Sequence, residues 1–275
     1  MNVLIGLVTH PESKYLDKNF VHNISKLVDM PNCYITTQIS NENLSRRIIS
    51  RFDLVKYYLV SINIELKFTK YISGRQGTFN LLMNYLRKYR DVFILIKNHH
   101  SAPDMEINQL RRFDNINLAH LEFFKTAFNH NYDFLIVLED DALTPNPSSF
   151  RDLILQLLFD DEFSKKPAFL NASKSLSWSE LNMERLISSI NPHKLYSQTT
   201  LTVTNSACAN IYNRKYIEVI FGRLKRVALK GLQNFIPIDQ LLNYVTLMDQ
   251  RGEKEIVSFH MAQPIFDQLS LYSKG

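Results

Sequence analysis

The chain has 275 residues, 45% hydrophobic and 21% charged, the make-up of a globular protein with a sizeable core. Its 7 glycines form no Gly-rich phosphate cradle, and Cys33 and Cys208 are too isolated in sequence for a thiolate zinc site or a disulfide framework. The net charge of +5 suits anionic partners such as nucleotides, phospholipid surfaces or nucleic acid, without choosing among them.

Residues 3–8 are a continuous apolar run, which predicts a first strand buried on both faces. The same stretch has no basic leader, and His10-Pro11-Glu12 ends it, so it does not read as a signal peptide. A short helix is expected at 22–28 and a second strand at 33–39. Ile62, Ile64, Leu66 and Phe68 alternate with polar residues as in a half-buried strand, and Phe79, Leu82, Met83 and Leu86 recur at helical spacing. Residues 92–96 make another apolar strand. Leu121, Phe124 and Phe128 share a helix face, and 134–138 is the most apolar strand of the chain. Phe150, Leu153, Ile154, Leu157 and Leu158 form the next helix face, with Ser148 as its N-cap. Residues 173–197, rich in Ser and Asn, read as loops around a short helix. Strands alternating with helices predict an α/β fold with a mainly parallel central sheet covered by helices. No run approaches the ~20 apolar residues needed to span a bilayer. A cytoplasmic protein is expected, at most peripheral at the inner face of the cell membrane.

The chemistry concentrates where the apolar strand 134–138 runs straight into Glu139-Asp140-Asp141. A buried strand delivers these carboxylates to the carboxyl edge of the sheet, where open α/β sheets bind their ligands. Adjacent carboxylates repel one another, and a divalent cation removes that cost. Oxygen ligands suit Mn²⁺ or Mg²⁺, and a diphosphate on the same cation becomes a better leaving group. A solvated acidic turn is the plainer alternative.

Leu138-Glu139-Asp140-Asp141 resembles the acidic "DxD"-type motif of glycosyltransferases with the GT-A (Rossmann-like) fold. The resemblance implies that the motif ends a strand in the middle of the sheet and that Asp141 is the first metal ligand. Asp140 and Glu139 then contact the metal's waters or the donor. Further segments resemble the bacterial lipooligosaccharide galactosyltransferases of glycosyltransferase family 25. These are Leu118-Ala119-His120-Leu121, the small-residue stretch from Asn205 through Cys208 to Tyr212, Pro237-Ile238-Asp239, and Pro264 through Gln268 to Ser270. The likeness covers roughly residues 115–270. Residues 40–115 match nothing in that family, and its N-terminal pattern is missing after Val8. One GT-A domain over 1–275 is implied, with a nucleotide-side half (1–115) and a metal- and acceptor-side half (116–275).

Asp239, ahead of the helix pattern Leu241, Leu242, Tyr244 and Val245, is the candidate catalytic base, with a helix N-cap as its bland alternative. The resemblance to GT-A enzymes, which often supply a C-terminal His to the metal, makes His260, in the segment after a strand-like Glu255-Ile256-Val257, the candidate second metal ligand, weighed against a core or surface histidine. Thr9 ends the first strand, an edge that the GT-A resemblance gives to the nucleotide, and is a donor-site candidate, though a plain loop residue is the favoured alternative. Arg75 and the pair His99-His100 read as loop residues. Residues 214–231 form a basic amphipathic helix, read as core-facing with a solvated basic side in preference to a membrane-surface helix.

The expected activity is metal-dependent transfer of a hexose from a nucleotide-sugar, a UDP-sugar on the resemblance, to a saccharide or lipid-linked saccharide acceptor in bacterial surface glycan or lipooligosaccharide synthesis. The alternatives are a sugar-nucleotide nucleotidyltransferase and a non-catalytic glycan-binding protein. The first of these usually carries a Gly-rich signature near its first strand, where this chain has only Gly6. No nucleic-acid-binding motif is present.

Overall fold

The computed structural model describes residues 2–9, 13, 32–39, 86–87, 90, 104–143, 147–173, 195–199, 207–229, 237–247, 256–261 and 265–268. The elements predicted at 22–28, 62–68 and 92–96, most of that at 79–86, and Arg75, His99 and His100 lie outside them.

The fold is mixed α/β. In chain order the described elements are β1 (Val3–Thr9), β2 (Cys33–Ile39), α1 (Asp104–Asn129), β3 (Phe134–Glu139), β4 (Ala142–Leu143), α2 (Pro147–Phe159) and α3 (Asp161–Lys165). There follow β5 (Ala168–Asn171), β6 (Tyr196–Thr199), β7 (Ala209–Asn213), α4 (Arg214–Leu229), α5 (Ile238–Leu247), β8 (Val257–Met261) and β9 (Asp267–Gln268). One sheet has seven strands in the order β2-β1-β3-β7-β5-β8-β6, so β3 lies inside it. β1, β2, β3, β5 and β8 run one way, as expected of a mainly parallel sheet, while β7 and β6 run against them.

Helices cover both faces. Phe134, Ile136 and Leu138 of β3 pack with Phe150, Leu153, Ile154 and Leu157 of α2 and Phe163 of α3. Leu135 and Val137 pack on the other side with Phe123, Phe124 and Ala127 of α1, Ile217 and Ile220 of α4, and Leu241 and Val245 of α5. This two-sided burial is why β1 and β3 read as unbroken apolar runs. Gly6 of β1 is required by close approach: a Cβ there would sit 2.6 Å from Phe123 Cγ.

Three local devices aim β3 at its site. Asn131, at φ 55°, turns the chain after α1 back toward the sheet in the left-handed conformation that ends helices, and Tyr132 N donates to Ala127 O at 3.1 Å. Arg214 then donates to Ala127 O and Phe128 O, both at 3.1 Å, capping the C-terminus of α1 from the start of α4. Asn213 joins β7, α4 and the approach to β5. Its Oδ1 accepts from Ala168 N at 3.1 Å and, as the N-cap of α4, from Tyr216 N at 2.8 Å. Its Nδ2 donates to Phe163 O and to Lys166 O. Asn213→Ala leaves these backbone groups unmet and is expected to destabilise the fold by roughly 3–5 kcal/mol, read by urea denaturation. Asn213→Asp, which keeps only the accepting half, should lose less.

Three sequence expectations need correction. α2 begins at Pro147, whose missing N–H suits a first helical turn, so Ser148 lies inside the helix and is not its N-cap. The strand read at 255–257 is Val257–Met261, because Val257, Phe259 and Met261 supply its core-facing alternation. The stretch read as loops to 197 ends in strand, since Tyr196 and Ser197 belong to β6. The core-facing reading of 214–231 holds: in α4 the apolar residues Tyr216, Ile217, Ile220, Leu224 and Val227 are buried in the core. Arg223 is buried too, donating to Val245 O and Thr246 O, and leaves Lys215, Lys225 and Arg226 on the exposed side. Among the described residues no helix is long and apolar enough to cross a membrane.

Candidate functional site

The carboxyl edge of β3 gathers segments far apart in sequence. Glu139 is its last residue, and by alternation its side chain follows Leu135 and Val137 toward α1 and α5. Asp140 and Asp141 form the turn into β4. On one side, Thr9 at the end of β1 donates from Oγ1 to Asp140 Oδ2 at 3.5 Å. On the other, Cys208 just before β7 accepts Glu139 N at its carbonyl, 2.8 Å away, and its thiol donates to Asp141 Oδ1 at 3.8 Å. The turn is therefore held at both ends by one buried residue. Beyond it, Ala142 and Leu143 pair antiparallel with Gln268 and Asp267 of β9.

Asp239, in the first turn of α5, acts on Glu139 through its charge. It lies within the helix and so is not the N-cap that sequence allowed. Gln240 N donates to its Oδ1 at 2.8 Å. Burial raises the Asp239 carboxyl above its ordinary value, a shift in the direction that makes a carboxylate a better base.

Glu139 carries the strongest electrostatic signal of the cluster. Burial, then the charges of Asp141, Asp239 and Asp140, push its carboxyl up to about 8, against a smaller opposing pull from Arg112. Burial, then the charges of Glu139, Asp141 and Asp140, hold the Cys208 thiol well above its usual range. In the unfolded chain Glu139 releases its proton near its ordinary 4.5, whereas the folded chain keeps it to about 8. Stability is therefore greatest below about pH 4.5, as far as Glu139 is concerned, and falls as pH rises through that window. Melting temperatures without divalent cation should decline from pH 5 to pH 8, and 1 mM (about) Mn²⁺ should stabilise more at pH 8 than at pH 5, since it binds the ionised form.

A dedicated metal cage is absent among the described residues: no three His, Cys, Asp or Glu groups converge to hold an ion. The donor set fits the other way in which Mg²⁺ and Mn²⁺ are held, by one or two carboxylates completed by ligand phosphates and water. Asp141, with Asp140 and Glu139 beside it, would supply those carboxylates. The structure does not bring His260 to them. β8 stands three strands from β3, with β7 and β5 between, roughly 14 Å at the ordinary strand spacing. His260 is buried there in register with Asn171 and Ser197. His120 is fully buried beside Phe123, and burial pushes its imidazole down to about 3, so it is a neutral core histidine.

Sequence reasoning assigned no role to Cys208 or Arg112. Cys208 fell inside a segment already singled out for its small residues. Nothing in the local pattern marks Arg112.

No family model matches the chain, and no curated protein does. The likeness to family 25 thus rests on the segments named above. Among solved structures the chain is similar to that of CMP:2-keto-3-deoxy-manno-octonic acid synthetase complexed with CTP, at 11% identity and a TM-score of 0.38. The alignment covers 100% of this chain and 96% of that one, and at such a score it carries no argument about fold or chemistry.

Proposed function

We propose that the chain is an enzyme of nucleotide-sugar chemistry, a cation-dependent transferase that binds a nucleoside diphosphate group at Glu139, Asp140 and Asp141. The observation that carries this reading is the carboxylate cluster held at the carboxyl edge of β3 by Thr9 and Cys208, with Asp239, a hundred residues later in sequence, among the charges that raise the Glu139 carboxyl. A cluster of like charges with a raised carboxyl at a sheet edge is the arrangement that a bound cation relieves.

In the finer reading the reaction is glycosyl transfer from a nucleotide-sugar, with a UDP-hexose as the first donor to try and a saccharide or lipid-linked saccharide as acceptor. The cation, Mn²⁺ or Mg²⁺, would stabilise the departing diphosphate. Asp141 and Asp140 would hold that cation, Thr9 steadies Asp140 through its hydroxyl, and Asp239 would take the proton of the acceptor hydroxyl. The second reading is sugar-nucleotide synthesis from a nucleoside triphosphate, the kind of activity named for the similar synthetase. The same carboxylates would serve it. Favouring glycosyl transfer is the stretch around β1, which holds one glycine, Gly6, and no Gly-rich signature.

The leaving group separates the two. The chain is incubated with Mn²⁺ and either UDP-hexoses plus saccharide acceptors or nucleoside triphosphates plus sugars and sugar phosphates. Release of nucleoside diphosphate from the first mixture supports glycosyl transfer. Release of pyrophosphate from the second moves the assignment to the synthetase reading, and silence in both across the four common bases would defeat the enzyme reading.

A further inference from the structure

Four polar side chains form a row across the sheet. Asn210 of β7 pairs with Asn171 of β5, Asn171 with His260 of β8, and His260 with Ser197 of β6. Residues paired in this way place their side chains on the same face. The adjacent positions Ile211, Leu170, Phe259 and Met261 belong to the core on the α2 and α3 side. The row therefore faces the α1, α4 and α5 side, as Glu139 does. Asn210 is also the partner of Val137, so the row starts one strand from β3 and two residues short of Glu139. Relative exposures are 0% for Asn210, 1% for Asn171 and 7% for both His260 and Ser197.

Stability alone does not call for such a row. Buried amides, imidazoles and hydroxyls must all be hydrogen-bonded to avoid a desolvation cost, where apolar side chains would contribute directly. Departures of this kind from the apolar pattern fall at functional sites. The chemistry is also selective. Asn, Ser and His each combine donor and acceptor capacity, which is what a hydroxyl group needs from its partner. A phosphate only accepts and calls for Arg or Lys, and the row contains neither.

We propose that this row is a sugar subsite, hydrogen-bonding the hydroxyls of the sugar whose diphosphate lies at Glu139, Asp140 and Asp141. The inference rests on the nucleotide-sugar reading above and deepens it by giving His260 to the sugar and not to the cation. His260 and Ser197, each 7% exposed, are the less buried end of the row, and Asn171 braces the floor, its Oδ1 accepting from Ser173 N and Ser173 Oγ, both at 2.9 Å.

The test compares the affinities of UDP and of UDP-glucose and UDP-galactose, with Mn²⁺, for the full chain and for His260→Ala and Ser197→Ala. For His260→Ala, UDP affinity should stay within about twofold while that for the better nucleotide-sugar falls roughly tenfold, the effect of one hydrogen bond. Ser197→Ala should show the same selectivity with a smaller loss. Equal losses for UDP and nucleotide-sugar would return His260 to the cation, and no loss for either ligand in folded variants would make the row purely structural. Both outcomes overturn the proposal. Melting curves check the fold, and if His260→Ala does not fold, Ser197→Ala and His260→Asn decide. If the unaltered chain binds no nucleotide, the proposed function fails on its own. Saturation-transfer NMR with methyl glucoside and methyl galactoside then decides the row: transfer lost in Ser197→Ala upholds it, and no transfer refutes it.

Discussion

Asp239→Asn should lower turnover by roughly 10²- to 10⁴-fold while leaving the fold and the donor affinity nearly unchanged. The substitution keeps the size of the side chain and an oxygen able to accept from Gln240 N, the 2.8 Å bond that fixes its orientation in the first turn of α5. What it removes is the ability to take a proton. It also removes one of the charges that raise Glu139, so the cation-free protein should melt no lower than before. Initial rates at saturating donor, the apparent KM and a melting curve together read the effect. A fall in rate matched by a fall in melting temperature would make Asp239 a structural acid; an unchanged rate would remove it from the reaction.

Asp141→Ala should weaken cation-dependent nucleotide binding by roughly a hundredfold or more. The cation-free protein should again be no less stable. Asp141 is the largest of the charges acting on Glu139, and its loss relieves that repulsion and leaves only the Cys208 thiol without its 3.8 Å acceptor. Calorimetric titration measures the first effect and thermal melting the second. Retained affinity would move the cation away from Asp141, and loss of folding would mean that the acid shapes the turn and does no more.

Those parts of the molecule that sequence revealed are the ones whose signal is local. β1 and β3 are buried on both faces and read as apolar runs, and the acids stand at the end of β3 because chain order alone puts them there. The helical phase of 214–231 likewise anticipated α4. The antiparallel insertion of β7 between β3 and β5 was not legible, since pairing between distant strands leaves no trace in either one. β8 shows how a chemical reading misplaces an element. Val257, Phe259 and Met261 alternate as in a strand, but taking the strand to end at Val257 freed His260 to be a metal ligand. Placed inside β8, it is held in register with Asn171 and Ser197. Cys208 and Asp239 were both within segments noted for a resemblance, yet their distances from the acids depend on how β7 and α5 pack, and no spacing in sequence encodes that.

The central claim is that Glu139, Asp140 and Asp141 form a cation-dependent site for a nucleoside diphosphate. Titration calorimetry of the chain with UDP, GDP, ADP and CDP, in Mn²⁺ and then in EDTA, tests it most directly. Saturable binding of at least one of them in Mn²⁺, lost in EDTA, is the expected result. Equal binding in both, or none to any of the four, would contradict it.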